Sequence, residues 1–288
     1  MLSSVKIRPY IELLRFYNLV VPLCSFFMGL LLLGHQHFSI DIILGVLIII
    51  LAHSFAIIQN DIADFQIDVI NSPTSPLQRK LITITDAKKL QAILGILVLL
   101  AGLIRPLPHL FFGITALSVS WFYNKRPFQL SRKPIWSILS LGTTSTLLPM
   151  SYGFWLANKN VTQAFFLTLF FWFFLRISIT LLKDFKDQKG DKKFQKQTFN
   201  LKFGNKFTAW TSLALALISY IGIFVTAFLI KTFNLLFLLP SLMIVYNSII
   251  RLKLLSIKNS DEGNAVFYKS FIGENRFEVV YLLWLILS

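Results

Sequence analysis

Oxygen-bearing side chains with regular spacing lie between positions 60 and 68, where the sequence reads NDIADFQID. Asn60, Asp64 and Asp68 are four residues apart, and side chains at that spacing lie on one face of an α-helix. If the helix is continuous, their oxygens converge, with Asp61 close by. A few hard oxygen ligands, completed by phosphate and water, form the kind of site that Mg²⁺ prefers.

A second acidic segment, DFKDQKGD, lies between positions 184 and 191. Asp184, Asp187 and Asp191 are separated by three and four residues, so they also share one face of a helix. The two segments hold six of the nine aspartates in the chain. Because like charges on one helix face repel each other, we expect a bound cation there. The sequence has no Cys/His cluster that would favour Zn²⁺. The alternative is that these acids only solvate loops and pair with nearby lysines.

The elements that carry these side chains are predicted to be membrane-spanning helices. Hydrophobic residues make up 55% and charged residues 14% of the 288 residues, against about 45–50% and 25% in soluble domains. The apolar residues form runs long enough to cross a hydrocarbon core, which takes roughly 20 helical residues, and lipid excludes irregular backbone. We therefore predict an all-α polytopic bundle, a single domain over residues 1–288. Its nine spans lie near 14–34, 40–58, 88–104, 107–123, 135–157, 161–182, 207–230, 233–250 and 277–288.

The charged loops predict the orientation of the bundle. Alternation of the spans places on one side the Lys- and Arg-rich segments 6–15, 79–89, 125–133, 183–206 and 251–276. The opposite side has only Arg105, Lys159 and Lys231. By the positive-inside rule, the N-terminus and both acidic segments are cytoplasmic. The net charge of +15 then indicates contact with membrane lipids, and no nucleic-acid partner is expected.

Three segments of the chain resemble the UbiA family of intramembrane prenyltransferases. They are the N-D-x-x-D-x-x-x-D pattern from Asn60 to Asp68, the D-x-x-D-x-x-G-D pattern from Asp184 to Asp191, and Tyr123-Asn124-Lys125-Arg126-Pro127 with Leu130, Arg132 and Lys133 beyond it. Thr198 and Gly204 follow the second acidic pattern as in many members. The resemblance implies a bundle of nine helices around a central cavity, capped by cytoplasmic motif loops.

The resemblance also implies a role for the acidic residues, since the two motifs of that family hold Mg²⁺ ions that bind the pyrophosphate of an isoprenoid donor. Carried over, one metal would be held by Asn60, Asp64 and Asp68, and another by Asp187 and Asp191, with Asp61 and Asp184 close by. Metal ions and cationic side chains can drive ionisation of an allylic pyrophosphate by stabilising the departing charge. Asp64, Asp68, Asp187 and Asp191, together with Tyr123 and Lys125, are therefore the predicted catalytic residues.

Several cationic and amide side chains are candidates for contact with the substrate. They are Arg15, Asn18, Asn60, Arg79, Lys125, Arg126, Arg132, Lys133, Arg176 and Lys183. Most of these cations have an alternative role as topology signals at the membrane surface. Arg176 differs, because an Arg inside a span is costly in lipid and must face the bundle interior. It would either help to hold the donor or pair with a buried acid.

The predicted reaction is transfer of a prenyl chain from its pyrophosphate to an acceptor, an aromatic precursor of a quinone or a related lipid. One departure leaves alternatives open, because Ser75 and Lys80 stand where the family usually has Arg and Gly. The alternatives on this scaffold are a terpene cyclase, which needs no acceptor, and geranylgeranyl transfer to a glycerol-phosphate lipid precursor. A divalent-cation transporter is disfavoured, since transport sites usually lie near the bilayer midplane and all six acids lie at one end.

Overall fold

The computed structural model of the chain describes residues 7–32, 39–105, 107–157, 162–229, 238–253 and 260–287 and, in the last range, the side chains of 266 and 269–287. These residues form helices, turns and loops, with no strand among them. The α-helices are α1 (Ile7–Leu14), α2 (Val20–Leu31), α3 (Ile40–Ala63), α4 (Phe65–Asn71), α5 (Ile84–Leu103), α6 (Leu107–Asn124), α7 (Pro134–Gly142), α8 (Leu148–Leu156), α9 (Gln163–Lys183), α10 (Gln188–Lys193), α11 (Phe199–Phe203), α12 (Asn205–Leu229), α13 (Leu238–Leu252) and α14 (Ser260–Leu287).

Every apolar run in the sequence coincides with a helix in the described residues, which confirms the all-α prediction. Within this part of the chain, four segments are long and apolar enough to cross a membrane: Ile7–Leu31, Ile40–Ala63, Gln163–Lys183 and Asn205–Leu229. The count of nine crossings stays a prediction. Residues 33–34, 161, 230, 233–237 and 288 of the predicted runs, together with Lys159 and Lys231, lie outside the described residues.

The last helix is much longer than the predicted span. The run near 277–288 is the C-terminal part of α14, which begins at Ser260. Charged residues earlier in the helix interrupt the apolar run, and one of them, Glu274, is buried against Arg251 of α13. A polar residue that is paired inside the bundle does not end a helix, so run length alone underestimates its extent.

A single bent helix is formed by α7 and α8, joined by a π-helical turn at Thr143–Leu147. Pro149 has no backbone N–H, so it cannot complete the regular helical hydrogen-bond pattern one turn earlier. The hydroxyls of Thr144 and Ser145 donate to the carbonyls of Ser140 and Leu141, one turn earlier, at 3.1 and 2.6 Å. The bend thereby leaves small polar side chains on one inner face of the bundle.

The two acidic segments lie at the same end of the bundle, which we call the motif end. The short helix α4 follows α3 and the short helix α10 follows α9, and α4 and α10 pack against each other. Below them, α9 packs against α12, α7 and α14, while α3 packs against α5 and α6. This arrangement leaves room between the two groups of helices for an internal cavity.

Candidate functional site

The first acidic segment spans a break between two helices. Helix α3 ends at Ala63, and Asp64 has φ −95° and ψ 13° before α4 begins. Asn60, Asp64 and Asp68 therefore do not lie on one continuous helix, although the Asp64 and Asp68 amides still donate to the carbonyls four residues earlier, at 2.8 and 2.9 Å. The Asn60 amide donates to the Asp64 carboxylate at 3.0 Å. The break turns the acidic side chains over the end of the bundle.

The second acidic segment has the same construction. Helix α9 ends at Lys183, and a turn from Asp184 to Asp187 leads into α10. Asp184 and Asp191 are only 4% and 1% exposed. In the first segment Asp61 is 3% exposed, so these acids do not form a solvated loop. Pairing with nearby lysines, the other part of the alternative interpretation, is present: Lys196 lies 2.7 Å from Asp64, and Lys183 lies 3.7 Å from Asp184.

A single asparagine joins the two segments. The Asn71 side-chain oxygen, at the end of α4, accepts from the Gly190 amide at 2.9 Å, and its nitrogen donates to the Asp191 carboxylate at 3.3 Å. A lysine makes a second link, since the Lys196 ammonium donates to Asp64 at 2.7 Å. Segments 120 residues apart in the chain therefore face one another across one opening.

Below this opening lies a cavity of about 420 Å³. Twelve of the predicted site residues line it, namely Arg15, Asn18, Asn60, Asp61, Asp64, Asp68, Tyr123, Arg176, Lys183, Asp184, Asp187 and Asp191. Along α3 its wall runs from Asp61 to Ile49, about 18 Å at the helical rise of 1.5 Å per residue. The motif end is polar and the deeper wall is mainly apolar, as a ligand with an anionic head and a hydrocarbon tail requires.

Three of the predicted cations on the wall have defined partners. Arg15 pairs with Asp61 at 2.9 Å, and the Lys183 ammonium donates to the Tyr123 hydroxyl at 3.1 Å. Arg176 forms a buried ion pair with Glu278 of α14 while lining the cavity. Of the two roles considered for Arg176, pairing with a buried acid is therefore the one seen.

The other predicted cations lie away from the cavity wall. They are Arg79, Lys125, Arg126, Arg132 and Lys133. Lys125 and Arg126 are exposed in the loop after α6, which ends at Asn124, and Arg79 pairs with Glu12 at the surface. These five predicted side chains therefore do not line the cavity.

Two acids outside the spanning helices, Asp68 and Asp191, are destabilised in their charged form. Burial, followed by repulsion from Asp61 and Asp64, raises the pKa of Asp68 to about 7. Burial likewise raises the pKa of Asp191 to about 7, with Asp184 and Asp187 adding to the effect against the opposing charge of Lys196. Burial alone would lower the pKa of Lys196, but the combined attraction of Asp64, Tyr123 and Asp191 outweighs burial and raises that pKa. A cation bound among these carboxylates would relieve their repulsion.

The donor set fits Mg²⁺ that is shared with a phosphate. Among the described residues, no three His, Cys, Asp or Glu side chains are close enough to hold a metal ion by themselves. Mg²⁺ usually takes only one or two protein carboxylates and completes its shell with phosphate oxygens and water. Asp64 with Asp68 on one side of the opening, and Asp187 with Asp191 on the other, meet that requirement.

Asn71, Lys186 and Lys196 are among the residues that line the same cavity but were not predicted from the sequence. Asn71 lies three residues after Asp68, so its spacing on a helix was a usable signal. Lys186 and Lys196 lie in a segment rich in lysine, and composition could not separate them from the exposed Lys192 and Lys193.

A model of the UbiA prenyltransferase family matches residues 22–274. The chain is 26% identical to the digeranylgeranylglyceryl phosphate synthase of Sulfolobus acidocaldarius over 204 residues, 71% of this chain and 72% of that one. It is 31% identical to the digeranylgeranylglyceryl phosphate synthase of Methanocaldococcus jannaschii over 206 residues, 70% of this chain and 69% of that one.

Solved structures share the fold. A structure of digeranylgeranylglyceryl phosphate synthase superposes with a TM-score of 0.71 at 22% identity, over 99% of this chain and 100% of that one. A UbiA homolog from Archaeoglobus fulgidus bound to GPP and Mg²⁺ superposes with a TM-score of 0.71 at 16% identity, over 96% of this chain and 99% of that one.

Proposed function

Because this chain belongs to the UbiA prenyltransferase family, we propose that it transfers a geranylgeranyl chain from its pyrophosphate to the free hydroxyl of a prenylated glycerol phosphate. Prenyl transfer within the membrane follows from the family. The donor and the acceptor are the new part of the proposal. The observation that carries them is the similarity of about seven-tenths of the chain to synthases whose names specify this product.

The pyrophosphate of the donor lies at the motif end, between the two acidic segments, and its hydrocarbon tail lies along the apolar wall. Lys183 and Lys196 line this opening and attract the anionic head group. Asn71 holds the two acidic segments at a fixed separation through its hydrogen bonds to Gly190 and Asp191. The apolar depth excludes water from the carbon atom that reacts.

Asn60, Asp64 and Asp68 on one side of the opening, and Asp187 and Asp191 on the other, would hold Mg²⁺, which when bound would supply charge stabilisation for the departing pyrophosphate. The lysines of the opening add positive charge where negative charge develops, and they are in place before the reaction. Lys183 is oriented by its hydrogen bond to Tyr123. Tyr123 thereby acts as a positioning residue for the cation.

A second cavity, of about 440 Å³, adjoins the first at the motif end and offers a place for the phosphate of the acceptor. It lies between the start of the chain and the loop after α4, and five residues line both cavities, namely Arg15, Tyr17, Asn71, Ser72 and Lys186. Ser75 lines it as well. The lining has hydroxyls and two cationic side chains against one carboxylate, that of Glu12, which pairs with Arg79. This balance suits a phosphate monoester better than a neutral aromatic ring.

The transfer exchanges one carbon–oxygen bond for another. The bond between C1 of the prenyl chain and the pyrophosphate oxygen breaks, and both electrons leave with the pyrophosphate. The acceptor hydroxyl oxygen then forms a bond to C1, and the hydroxyl proton is released. The products are a glycerol phosphate diether, pyrophosphate and one proton.

The test is incubation of the purified protein with Mg²⁺ and geranylgeranyl pyrophosphate labelled in its prenyl chain. Separate reactions contain geranylgeranylglyceryl phosphate, an aromatic quinone precursor such as a hydroxybenzoate, or no acceptor. We expect a labelled diether phosphate in the first reaction only. A labelled aromatic product would replace this proposal with the aromatic acceptor, and a cyclic hydrocarbon formed without acceptor would replace it with a cyclase.

The same substitution, Asp to Asn, at two positions in the site and at one position outside it tests the assignment of the site. Asp68→Asn and Asp187→Asn should each abolish product at saturating donor, because they remove carboxylates that face the opening. Asp86→Asn removes a carboxylate from the exposed first turn of α5 and should keep full activity. Equal activity of all three variants would reject the assignment of the site.

We also propose that the motif end faces the cytoplasm, as the distribution of loop cations indicates. Cysteines introduced by Lys125→Cys near the motif end and by Arg105→Cys at the opposite end can be labelled in cells carrying Cys24→Ser. An impermeant thiol reagent added from outside should label the Arg105→Cys variant alone. Labelling of the Lys125→Cys variant alone would reverse the orientation without affecting the proposed chemistry.

A further inference from the structure

The deep end of the cavity is closed by side chains from three helices. The wall ends at Ile49 on α3, Phe112 on α6 and Pro149 on α8. On α6 the lining runs from Tyr123 at the motif end to Phe112, about 16 Å along the helix axis. Phe112 is 5% exposed, so its ring is the large side chain that a hydrocarbon tail entering along α6 would meet.

The Phe112 ring is backed by a second aromatic ring. It stacks on Tyr152, with ring centroids 4.4 Å apart and planes 12° from parallel. On its other side, Tyr152 packs against Phe26 at 5.4 Å. Tyr152 is 2% exposed and Phe26 is fully buried, so Phe112 is backed by buried, packed side chains. Interiors packed to this density do not yield to an extra methyl group without strain.

Tyr152 is itself fixed by polar contacts at the far end of the bundle. Its hydroxyl lies 2.9 Å from Nδ1 of His109, which is fully buried. The Nε2 atom of His109 lies 3.7 Å from Asp41, and Arg105 lies 3.5 Å from the same carboxylate. This polar cluster anchors the aromatic pair from below and is separate from the acidic segments.

We propose that Phe112, backed by Tyr152, is the floor of the prenyl channel and sets the longest donor chain that the enzyme accepts. The proposal rests on the proposed function, because it takes the tail of the donor as the occupant of the apolar depth. A chain that ends above Phe112 binds without disturbing it. A chain one isoprene unit longer must displace the Phe112 ring against the packed rings of Tyr152 and Phe26.

The test measures kcat/KM for a series of all-trans prenyl pyrophosphates from C10 to C30 with one acceptor, and the thermal stabilisation that each donor gives without acceptor. Phe112→Ala and the milder Phe112→Leu should extend the accepted length by at least one unit. For the shortest donor that the wild type rejects, we expect the ratio of its kcat/KM to that of the C10 donor to rise about tenfold or more in these variants. Phe112→Trp should shift the limit towards shorter donors.

The matched control is Phe111→Ala, which makes the same change at a residue that is 55% exposed on the same helix. Its length profile should equal that of the wild type. Tyr152→Phe keeps the ring but removes the hydroxyl that His109 contacts, and it should broaden the length limit less than Phe112→Ala does.

The outcomes separate the floor from the reaction. If the wild type turns over donors and no Phe112 variant changes the length profile in either direction, the floor assignment is overturned while prenyl transfer stands. If donors of no length are turned over or stabilise the protein, the proposed function and the floor are overturned together. A shift towards longer donors in Phe112→Leu, absent from Phe111→Ala, supports the floor.

Discussion

Lys196 is the residue on which the electrostatics of the opening most depend. It is the partner of Asp64 at 2.7 Å, and its charge also opposes the pKa rise of Asp191. A cation between two groups of carboxylates reduces their mutual repulsion before substrate binds, as a bound metal ion also would. When an anionic head group enters, the same ammonium is placed to contact it.

Lys196→Met should lower kcat/KM for the donor by about tenfold to a hundredfold, the usual worth of a lost hydrogen bond to a charged group. Most of the loss should appear in KM for the donor, because Lys196 contacts the head group before and during the reaction. Initial rates at varied donor and fixed Mg²⁺ measure it.

Lys193→Met is the control for this change, because Lys193 is exposed on the neighbouring helix α10. It should behave like the wild type. Lys196→Arg should recover part of the lost activity, since it restores the charge with a different geometry. A wild-type KM in Lys196→Met would remove Lys196 from the site.

The acidic side chains of the site lie at two helix breaks, one after α3 and one after α9. The sequence predicted these side chains but not the breaks. Spacing identified Asn60, Asp64, Asp68 and the second acidic segment, because a pattern of three and four residues is visible without coordinates. It could not show that α3 ends at Ala63, since nothing in the local sequence is a strong helix breaker.

Loop cations were the least predictable part of the site. The family resemblance and the all-helical bundle are confirmed, and twelve predicted residues line one cavity. The position of Lys125 and Arg132 in a motif predicts contact with the substrate, yet neither residue lines the cavity. In a segment dense with lysine, only the path of the backbone decides which ammonium groups face inward.

The link between α4 and α10 is predicted to act as a unit. Asn71→Ala removes the hydrogen bonds to Gly190 and Asp191. Gly190→Ala disrupts the same hydrogen bonds, because an added Cβ at position 190 would overlap the Asn71 side chain and displace it. Each variant should lower kcat and raise the Mg²⁺ concentration needed for half-maximal rate, since the two acidic segments lose their fixed separation.

The double variant Asn71→Ala/Gly190→Ala tests whether the two residues act together. The fold-loss of kcat in the double variant should be clearly smaller than the product of the two single fold-losses, because both substitutions remove the same hydrogen bonds. Thr85→Ala, at an exposed position in the first turn of α5 and away from both cavities, is the control and should keep wild-type activity. Independent, multiplicative losses would show that the two residues act separately.

At the scale of the whole molecule, buried ion pairs hold the C-terminal helices to the rest of the bundle. Arg251 of α13 is fully buried, pairs with Glu274 of α14 and donates to the Ser212 hydroxyl of α12 at 2.9 Å. Tyr220 of α12 donates to the same Glu274 at 2.6 Å. Arg176 and Glu278 repeat the pattern between α9 and α14. The network aligns α14 behind the cavity wall.

Arg251→Met should destabilise the protein by about 3–5 kcal/mol, because it leaves the Glu274 carboxylate buried and without its cation. Replacing both partners, in Arg251→Met/Glu274→Leu, should recover part of this loss, since no buried charge is then left unpaired. The single Cys24 is buried, so a thiol-reactive dye reports the unfolding temperature in detergent. Arg276→Met, at an exposed position of α14, is the control and should unfold with the wild type. An unchanged unfolding temperature in Arg251→Met would show that the contacts of the apolar residues, and not the ion pair, hold α13 and α14 in place.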